Sequence, residues 1–131
     1  MTKEEKVQHW IDLADRDFST AEYLINGGHN LYVGYLCHQA IEKIFKAYYA
    51  KIKEETPPFT HDLEGLAEKT GLFDVMNEEQ KNFIETLNPL NIEARYPQYK
   101  SKIAQILTNE ITQNILDNTK EILQWTKQKI F

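Results

Sequence analysis

The fold is decided by the stretch YLCHQAIEKIFKAYY, Tyr35–Tyr49. Its apolar residues recur at intervals of three and four and occupy most of a helical wheel, which predicts a largely buried helix. We expect this helix to begin near Asn30 and to end near Lys53, because Pro57 and Pro58 cannot continue it. The other positions share an arc of about 100° that must face solvent, a groove or a partner. They are Gln39, Glu42, Lys43, Lys46, Ala50 and Lys53.

A first helix precedes this stretch. Thr2 with Glu5 three residues later forms a capping box, and apolar residues then follow at helical spacing. We expect this helix to run from about Lys3 to Asn26 and to end at Gly27 and Gly28. Two long helices joined by a short glycine loop predict an antiparallel hairpin.

The second half of the chain contains shorter helices and a long one. Thr60 is expected to cap a short helix that ends at Gly71, and Asn77 with Gln80 another that continues through Leu87. A long helical region ends the chain, with a break where Thr108 caps a new helix. We therefore predict an all-α fold in a single domain, residues 1–131: an up-and-down antiparallel bundle of four main helices with one or two short additional helices.

The charge distribution indicates where a polyanion can approach. The net charge of −5 argues against tight nonspecific binding to nucleic acid. Residues 30–53 and 95–131 each sum to +3, whereas residues 1–29 sum to −3 and residues 54–94 to −8. A polyanion would have to approach one of the two basic segments, unless the pattern only reflects basic and acidic helices lying side by side.

Other features of the sequence bear on its location and chemistry. No window approaches the roughly 20 apolar residues of a membrane-spanning helix, and the beginning MTKEEK lacks the apolar core of a signal peptide. We therefore expect a cytoplasmic protein that does not enter a membrane. The single cysteine, Cys37, is expected to be a buried core thiol.

Three motifs follow one another along the chain: the stretch quoted above, PPFTHDLEGL at residues 57–66, and EARYPQYK at residues 93–100. Together they resemble the HEPN family, whose name stands for higher eukaryotes and prokaryotes nucleotide-binding. The resemblance covers residues 10–125 and implies a bundle of four main antiparallel helices, frequently a homodimer. It also implies a partner, because bacterial members are often encoded beside a small nucleotidyltransferase with which they form toxin–antitoxin pairs. Many members are metal-independent endoribonucleases.

The catalytic signature that the resemblance implies is incomplete. In those ribonucleases an arginine is followed after four to six residues by a histidine, but the chain has Lys100, Ser101 and Lys102 at the three positions counted from Arg95. Cleavage of RNA through its 2′-hydroxyl needs a base that titrates near neutral pH, which an imidazole supplies and a hydrated lysine in a polar loop does not. We therefore predict that the protein has no catalytic residues of this kind.

His61, in the THDL motif, is the best substitute for the missing histidine. The alternative interpretation is structural, with His61 beside Thr60 helping to cap a helix or bonding to the adjoining loop. His38 is expected to be a satisfied, partly buried ring on the second helix. The four histidines include no pair at the i, i+4 spacing of a helical metal site, so we expect neither a metal nor a cofactor.

Arg95 and Tyr96 are the other candidates for function. A guanidinium suits a phosphate or carboxylate, and Tyr96 and Tyr99 suit stacking on a base. In the structural alternative, Arg95 pairs with an acidic side chain or caps a helix, and Tyr96 packs into the core. The sequence alone leaves these interpretations equally open.

Our hypothesis from the sequence is a noncatalytic HEPN-type module that forms a homodimer, associates with a nucleotidyltransferase and binds a nucleotide or RNA phosphate. The expected ligand-binding residues are Arg95, Tyr96, Lys43, Lys46 and Gln39. The alternative hypothesis is an endoribonuclease toxin in which Arg95 clamps the phosphate and His61 is the base. Two Trp, seven Tyr and six Phe exceed what a slim bundle easily buries, so some are expected at an interface. Tyr32, Tyr35 and Tyr49 are the candidates.

Overall fold

The structure is a computed structural model that describes residues 1–91 and 97–131. This part of the chain forms α-helices and one short 3₁₀ helix, without a β-strand, which confirms the all-α prediction. The helices are α1 (Lys3–Ile25), α2 (Asn30–Lys53), α3 (Leu63–Thr70), α4 (Leu72–Val75), α5 (Glu78–Leu87), the 3₁₀ helix Asn88–Leu90, α6 (Pro97–Ile106) and α7 (Asn109–Ile130).

The ends of the helices follow the capping signals of the sequence. Thr2 forms a capping box with Glu5 at the start of α1, and Asn77 forms one with Gln80 at the start of α5. Thr108 accepts a hydrogen bond from the backbone N–H of Ile111 and so separates α7 from α6. These side chains satisfy amide groups that have no partner within the helix.

Two local predictions are wrong. The helix expected after Thr60 begins only at Leu63, because Asp62 occupies the N-cap while the Thr60 hydroxyl accepts a hydrogen bond from the Asp62 amide. Gly71 ends α3 in a left-handed conformation, with φ of 80°, and also serves as N-cap of the unpredicted α4. Lys100 and Lys102 do not lie in a polar loop, since α6 begins at Pro97 and contains both.

The main helices alternate in direction, as predicted. α1 and α2 form the hairpin, and Lys3 at the start of α1 pairs with Glu54 just after α2. α7 runs parallel to α2, because Asn30 bonds to Asn109 at one end of the pair and Lys51 to the carbonyl of Ile130 at the other. α5 runs antiparallel to α7, since residues 77–83 share one groove with residues 118–122, and residues 79–86 share the next groove with residues 111–118.

The core lies around α2, which packs mainly against α1 and α7. Gly34 permits one close approach, because a β-carbon there would lie 3.1 Å from Leu90 and 3.3 Å from Leu107. The largest fully buried side chains include Phe45, Ile41 and Ile44. No helix in the described part of the chain has both the length and the apolar character needed to cross a membrane.

Candidate functional site

The polar stripe of α2 lies mostly inside the protein. From the sequence we expect the stripe to face solvent, a groove or a partner. In the structure, Gln39, Glu42 and Lys46 are all buried. α1 covers one part of the stripe, and the loop between α2 and α3 covers another. The stripe is therefore a polar seam that joins elements of the same chain.

Glu42 lies at the centre of this seam. Its Oε2 accepts a hydrogen bond from Lys46 Nζ at 3.0 Å, and its Oε1 accepts one from His61 Nδ1 at 2.8 Å. The side chains of Glu42 and Lys46 are only 4% and 6% exposed, whereas that of His61 is 43% exposed. The Lys46 ammonium also lies 5.5 Å from the centre of the Trp10 ring, within the range of a cation–π interaction. Glu42 thus links a buried cation to an imidazole at the surface.

His38 forms a hydrogen bond with the backbone of His61. Its Nε2 donates to the carbonyl oxygen of His61 at 3.0 Å, and its Nδ1 accepts from Gln39 Nε2 at 3.3 Å. This pattern requires the neutral ring, and burial lowers the pKa of His38 to about 4. His61 is therefore fixed by its carbonyl group as well as by its ring, which makes its position well defined.

The expected phosphate-binding residues of α2 are all engaged by other side chains. Lys43 forms a salt bridge with Asp17 of α1, and Lys46 is paired with Glu42. Gln39 Nε2 donates to Asn91 Oδ1 at 3.4 Å, which ties α2 to the residue after the 3₁₀ helix. An arriving phosphate would have to compete with these partners for each of the three groups.

Arg95 and Tyr96 lie outside the described residues. The structure therefore does not place the guanidinium relative to Gln39, Lys43 and Lys46. The described chain resumes at Pro97.

Asn88 is a functional candidate that the sequence analysis missed. Its Oδ1 accepts the backbone N–H of Leu63 at 2.9 Å, and its Nδ2 donates to Asp62 Oδ1 at 3.0 Å. It therefore joins the end of α5 to the start of α3. Asn88 follows a run of helical residues with no motif around it, so only the distant partners reveal its role.

An open cleft of about 560 Å³ lies beside His61. Its polar lining comes from the start of α3 and from the end of α5 with the residues that follow. Those residues are His61, Asp62, Glu64, Glu85, Asn88 and Asn91. The three carboxylates give this cleft an acidic wall, which disfavours a phosphate there.

The described residues offer no cluster of histidine, cysteine and carboxylate side chains that would hold a metal ion. Cys37 is also unsuited to reaction, because burial raises the pKa of its thiol to about 12. Its expected role as a buried core thiol agrees with this environment.

The fold and the seam define a helical-bundle module whose second helix carries buried polar residues and anchors a histidine loop. A family model described as the HEPN domain matches residues 7–130. The chain belongs to the HEPN domain family, as its three motifs predict.

Two solved structures have the same fold. One is the protein TT1696 from Thermus thermophilus, with 18% identity and a TM-score of 0.79, covering 95% of this chain and 98% of that one. The other is ST0689, described as an archaeal HEPN homologue, with 19% identity and a TM-score of 0.71, covering 96% of this chain and 98% of that one. A comparison with curated proteins gives no match. At these identities the likeness establishes the fold alone.

Proposed function

We propose that the protein is a noncatalytic HEPN module that acts by association, as a homodimer in complex with a nucleotidyltransferase. The observation that carries this proposal is the engagement of both candidate lysines of α2 by carboxylates, Lys43 by Asp17 and Lys46 by Glu42. A surface that must hold RNA for cleavage needs cations available to phosphate. The described part of α2 uses these two cations to hold its own fold.

A nucleotide or RNA phosphate is the proposed ligand, with Arg95 as its main contact and Tyr96 as a stacking surface. A guanidinium forms paired hydrogen bonds with phosphate oxygens. Lys43 is the better placed of the two α2 lysines to assist, because it is only half-buried. Lys46 and Gln39 are the further proposed contacts; both are buried and would have to exchange their bonds to Glu42 and Asn91 for the phosphate.

The second candidate function is endoribonuclease activity, with Arg95 as the phosphate clamp and His61 as the base. The specific observation in its favour is the hydrogen bond between Glu42 and His61 Nδ1. A carboxylate that orients an imidazole leaves the other nitrogen, Nε2, as a proton acceptor. Against this function, the cleft beside His61 is walled by Asp62, Glu64 and Glu85, which repel an RNA backbone.

Incubation with RNA in the presence of EDTA separates the two functions. We expect the RNA to remain intact. Cleavage that is lost in both Arg95→Ala and His61→Ala, but kept in the exposed controls Arg16→Ala and His9→Ala, would establish the ribonuclease instead. Retained helical circular dichroism in every variant would exclude unfolding as the cause.

Nucleotide binding is tested separately by isothermal titration calorimetry. We expect heat with at least one nucleoside phosphate, lost in Arg95→Ala and kept in Arg16→Ala, which removes the same charge from an exposed position of α1. If no nucleotide gives heat, the binding part of the proposal is wrong and association alone is left.

Association is tested by light scattering coupled to size-exclusion chromatography, and by co-purification with a nucleotidyltransferase encoded beside the gene. Tyr32 is exposed, Tyr35 and Tyr49 are half-buried, and the Tyr49 hydroxyl donates to Glu55. We therefore expect Tyr32→Asp to weaken the dimer, whereas Tyr23→Asp, on the exposed side of α1, should not. A monomeric mass for the unmodified protein would contradict the homodimer.

A further inference from the structure

The cleft beside His61 is rich in hydrogen-bond acceptors. Glu64 and Glu85 line it, and neither forms a salt bridge within residues 1–91 and 97–131. Asp62 adds a third carboxylate, which Asn88 holds in place by donating to Oδ1. These groups attract a ligand that carries N–H donors and positive charge.

His61 adds a fourth acceptor whose position is built into the fold. Its Nδ1 donates to the buried carboxylate of Glu42, and its carbonyl accepts from His38. In the neutral ring, Nε2 is then an acceptor, and the half-exposed side chain lines the cleft. A fixed acceptor costs less entropy on binding than one that must first be ordered.

Phe59 supplies an apolar surface next to His61, one of the residues that line the cleft. Phe59 is 96% exposed, and its ring meets that of His61 edge-on with 5.7 Å between the ring centres. The flat guanidinium of an arginine stacks on such a ring while its N–H groups bond to carboxylates. An ammonium lacks this planar surface.

The surroundings of the cleft favour a basic protein over a small cation. Residues 54–91 contain nine acidic and two basic side chains, so the segment that lines the cleft carries a large negative charge, whose field attracts cations. Complementary charge across an interface speeds encounter and selects the partner. A basic polypeptide segment matches both the field and the exposed Phe59.

We propose that this cleft receives an arginine side chain from a basic segment of a partner protein, with Phe59 stacking on the guanidinium. The inference rests on the proposed association with a protein partner and identifies the chemistry of the partner's surface. The volume of about 560 Å³ accommodates one such side chain. The recognition residues are Asp62, Glu64, Glu85 and His61.

The test measures binding of a hexa-arginine peptide to the full chain by fluorescence anisotropy at moderate salt. The double variant Glu64→Gln/Glu85→Gln should bind about tenfold more weakly, and Phe59→Ala about threefold more weakly. The matched control is Glu110→Gln/Glu121→Gln, which removes the same charge from exposed positions of α7. This control should change the affinity by less than about twofold.

Histidine ¹⁵N NMR spectra locate the contact. Addition of the peptide should shift the Nε2 resonance of His61 and leave that of the exposed His9 unchanged. An equal loss of affinity in both double variants would show that net charge alone attracts the peptide, and would overturn the proposal. Spermidine that binds as tightly as the peptide would also overturn the proposal. The same holds if an oligo-uridylate shifts the His61 resonance.

The alternative ligand for the cleft is a second copy of this chain. Light scattering distinguishes the two cases, because it measures the mass of the particle in solution. Dissociation of a dimer by Glu64→Gln/Glu85→Gln would assign the cleft to self-association and reject a basic partner. Failure of the peptide experiment leaves the dimer mass and the nucleotidyltransferase co-purification unaffected. The two proposals therefore fail separately.

Discussion

Glu42 Oε1 lies 2.8 Å from His61 Nδ1, so a buried carboxylate of α2 orients an imidazole at the edge of an open cleft. The same carboxylate neutralises the buried ammonium of Lys46. A single side chain thus joins the interior of the bundle to its candidate site. Any change in Glu42 should alter both the stability of the bundle and the position of His61.

Glu42→Gln should lower the free energy of unfolding by about 3 kcal/mol, measured by urea denaturation. The reason is that Lys46 stays buried without a carboxylate partner, and an uncompensated buried charge is costly. The double variant Glu42→Gln/Lys46→Met should be more stable than Glu42→Gln alone, since it removes that charge.

The control for this experiment is Glu78→Gln. Glu78 lies 4.0 Å from Lys81 and is largely exposed, so its loss should cost less than about 0.5 kcal/mol. Equal effects of Glu42→Gln and Glu78→Gln would mean that the buried pair contributes no more than a surface pair.

The stability of the protein should fall as the pH is lowered from 7 to 4. Burial lowers the pKa of His38 from 6.5 to about 4 in the folded chain, so between these values the unfolded chain binds a proton that the folded chain does not. Stability then rises with pH across this range. The difference corresponds to about 3 kcal/mol lost by the time the pH reaches 4.

His38→Gln should flatten this dependence when unfolding by urea is measured at several pH values. Carboxylates also titrate in this range, so the informative quantity is the difference between the variant and the unmodified protein. His9→Gln, on the exposed face of α1, should retain the full slope. An unchanged slope in His38→Gln would show that His38 does not cause it.

The helices were predictable because their signals are local. The capping boxes at Thr2 and Asn77, the cap at Thr108 and the glycine loop after α1 each lie within a few residues of the structure that they specify. α4 was not predicted, because Gly71 is both the C-cap of α3 and the N-cap of α4 and no loop residues separate the two helices.

The candidate site was predictable only in part, since its contacts join residues far apart in the sequence. The THDL motif identified His61, but its partner Glu42 is 19 positions earlier and the two partners of Asn88 are about 25 earlier. A helical wheel shows which face of the helix a residue occupies. It does not show which other element packs against that face. The polar stripe of α2 was correctly grouped, but its burial depends on α1 and on the loop before α3.

Asn88→Ala should lower the free energy of unfolding by about 2 kcal/mol. The substitution leaves the backbone N–H of Leu63 without its acceptor and removes the bond to Asp62, and a buried donor without a partner costs about 1–3 kcal/mol. Amide hydrogen exchange at Leu63 should become faster for the same reason. Asn82→Ala, at an exposed position of α5, should change stability by less than about 0.5 kcal/mol.

Gly71→Ala should cost about 1 kcal/mol through the backbone alone. Gly71 has a φ of 80°, and no heavy atom beyond its own and its two chain neighbours' lies within 4 Å of the position that a β-carbon would occupy, so the strain comes from the left-handed conformation. Gly65→Ala is the informative contrast, because the helical φ of that residue suits alanine, whereas its β-carbon would lie 2.8 Å from Asp62 Oδ2. We expect Gly65→Ala to displace the Asp62 carboxylate and to weaken hexa-arginine binding, and Gly71→Ala to lower the urea midpoint without affecting the peptide. A loss of peptide affinity in Gly71→Ala alone would contradict the assignment of Asp62 to the cleft.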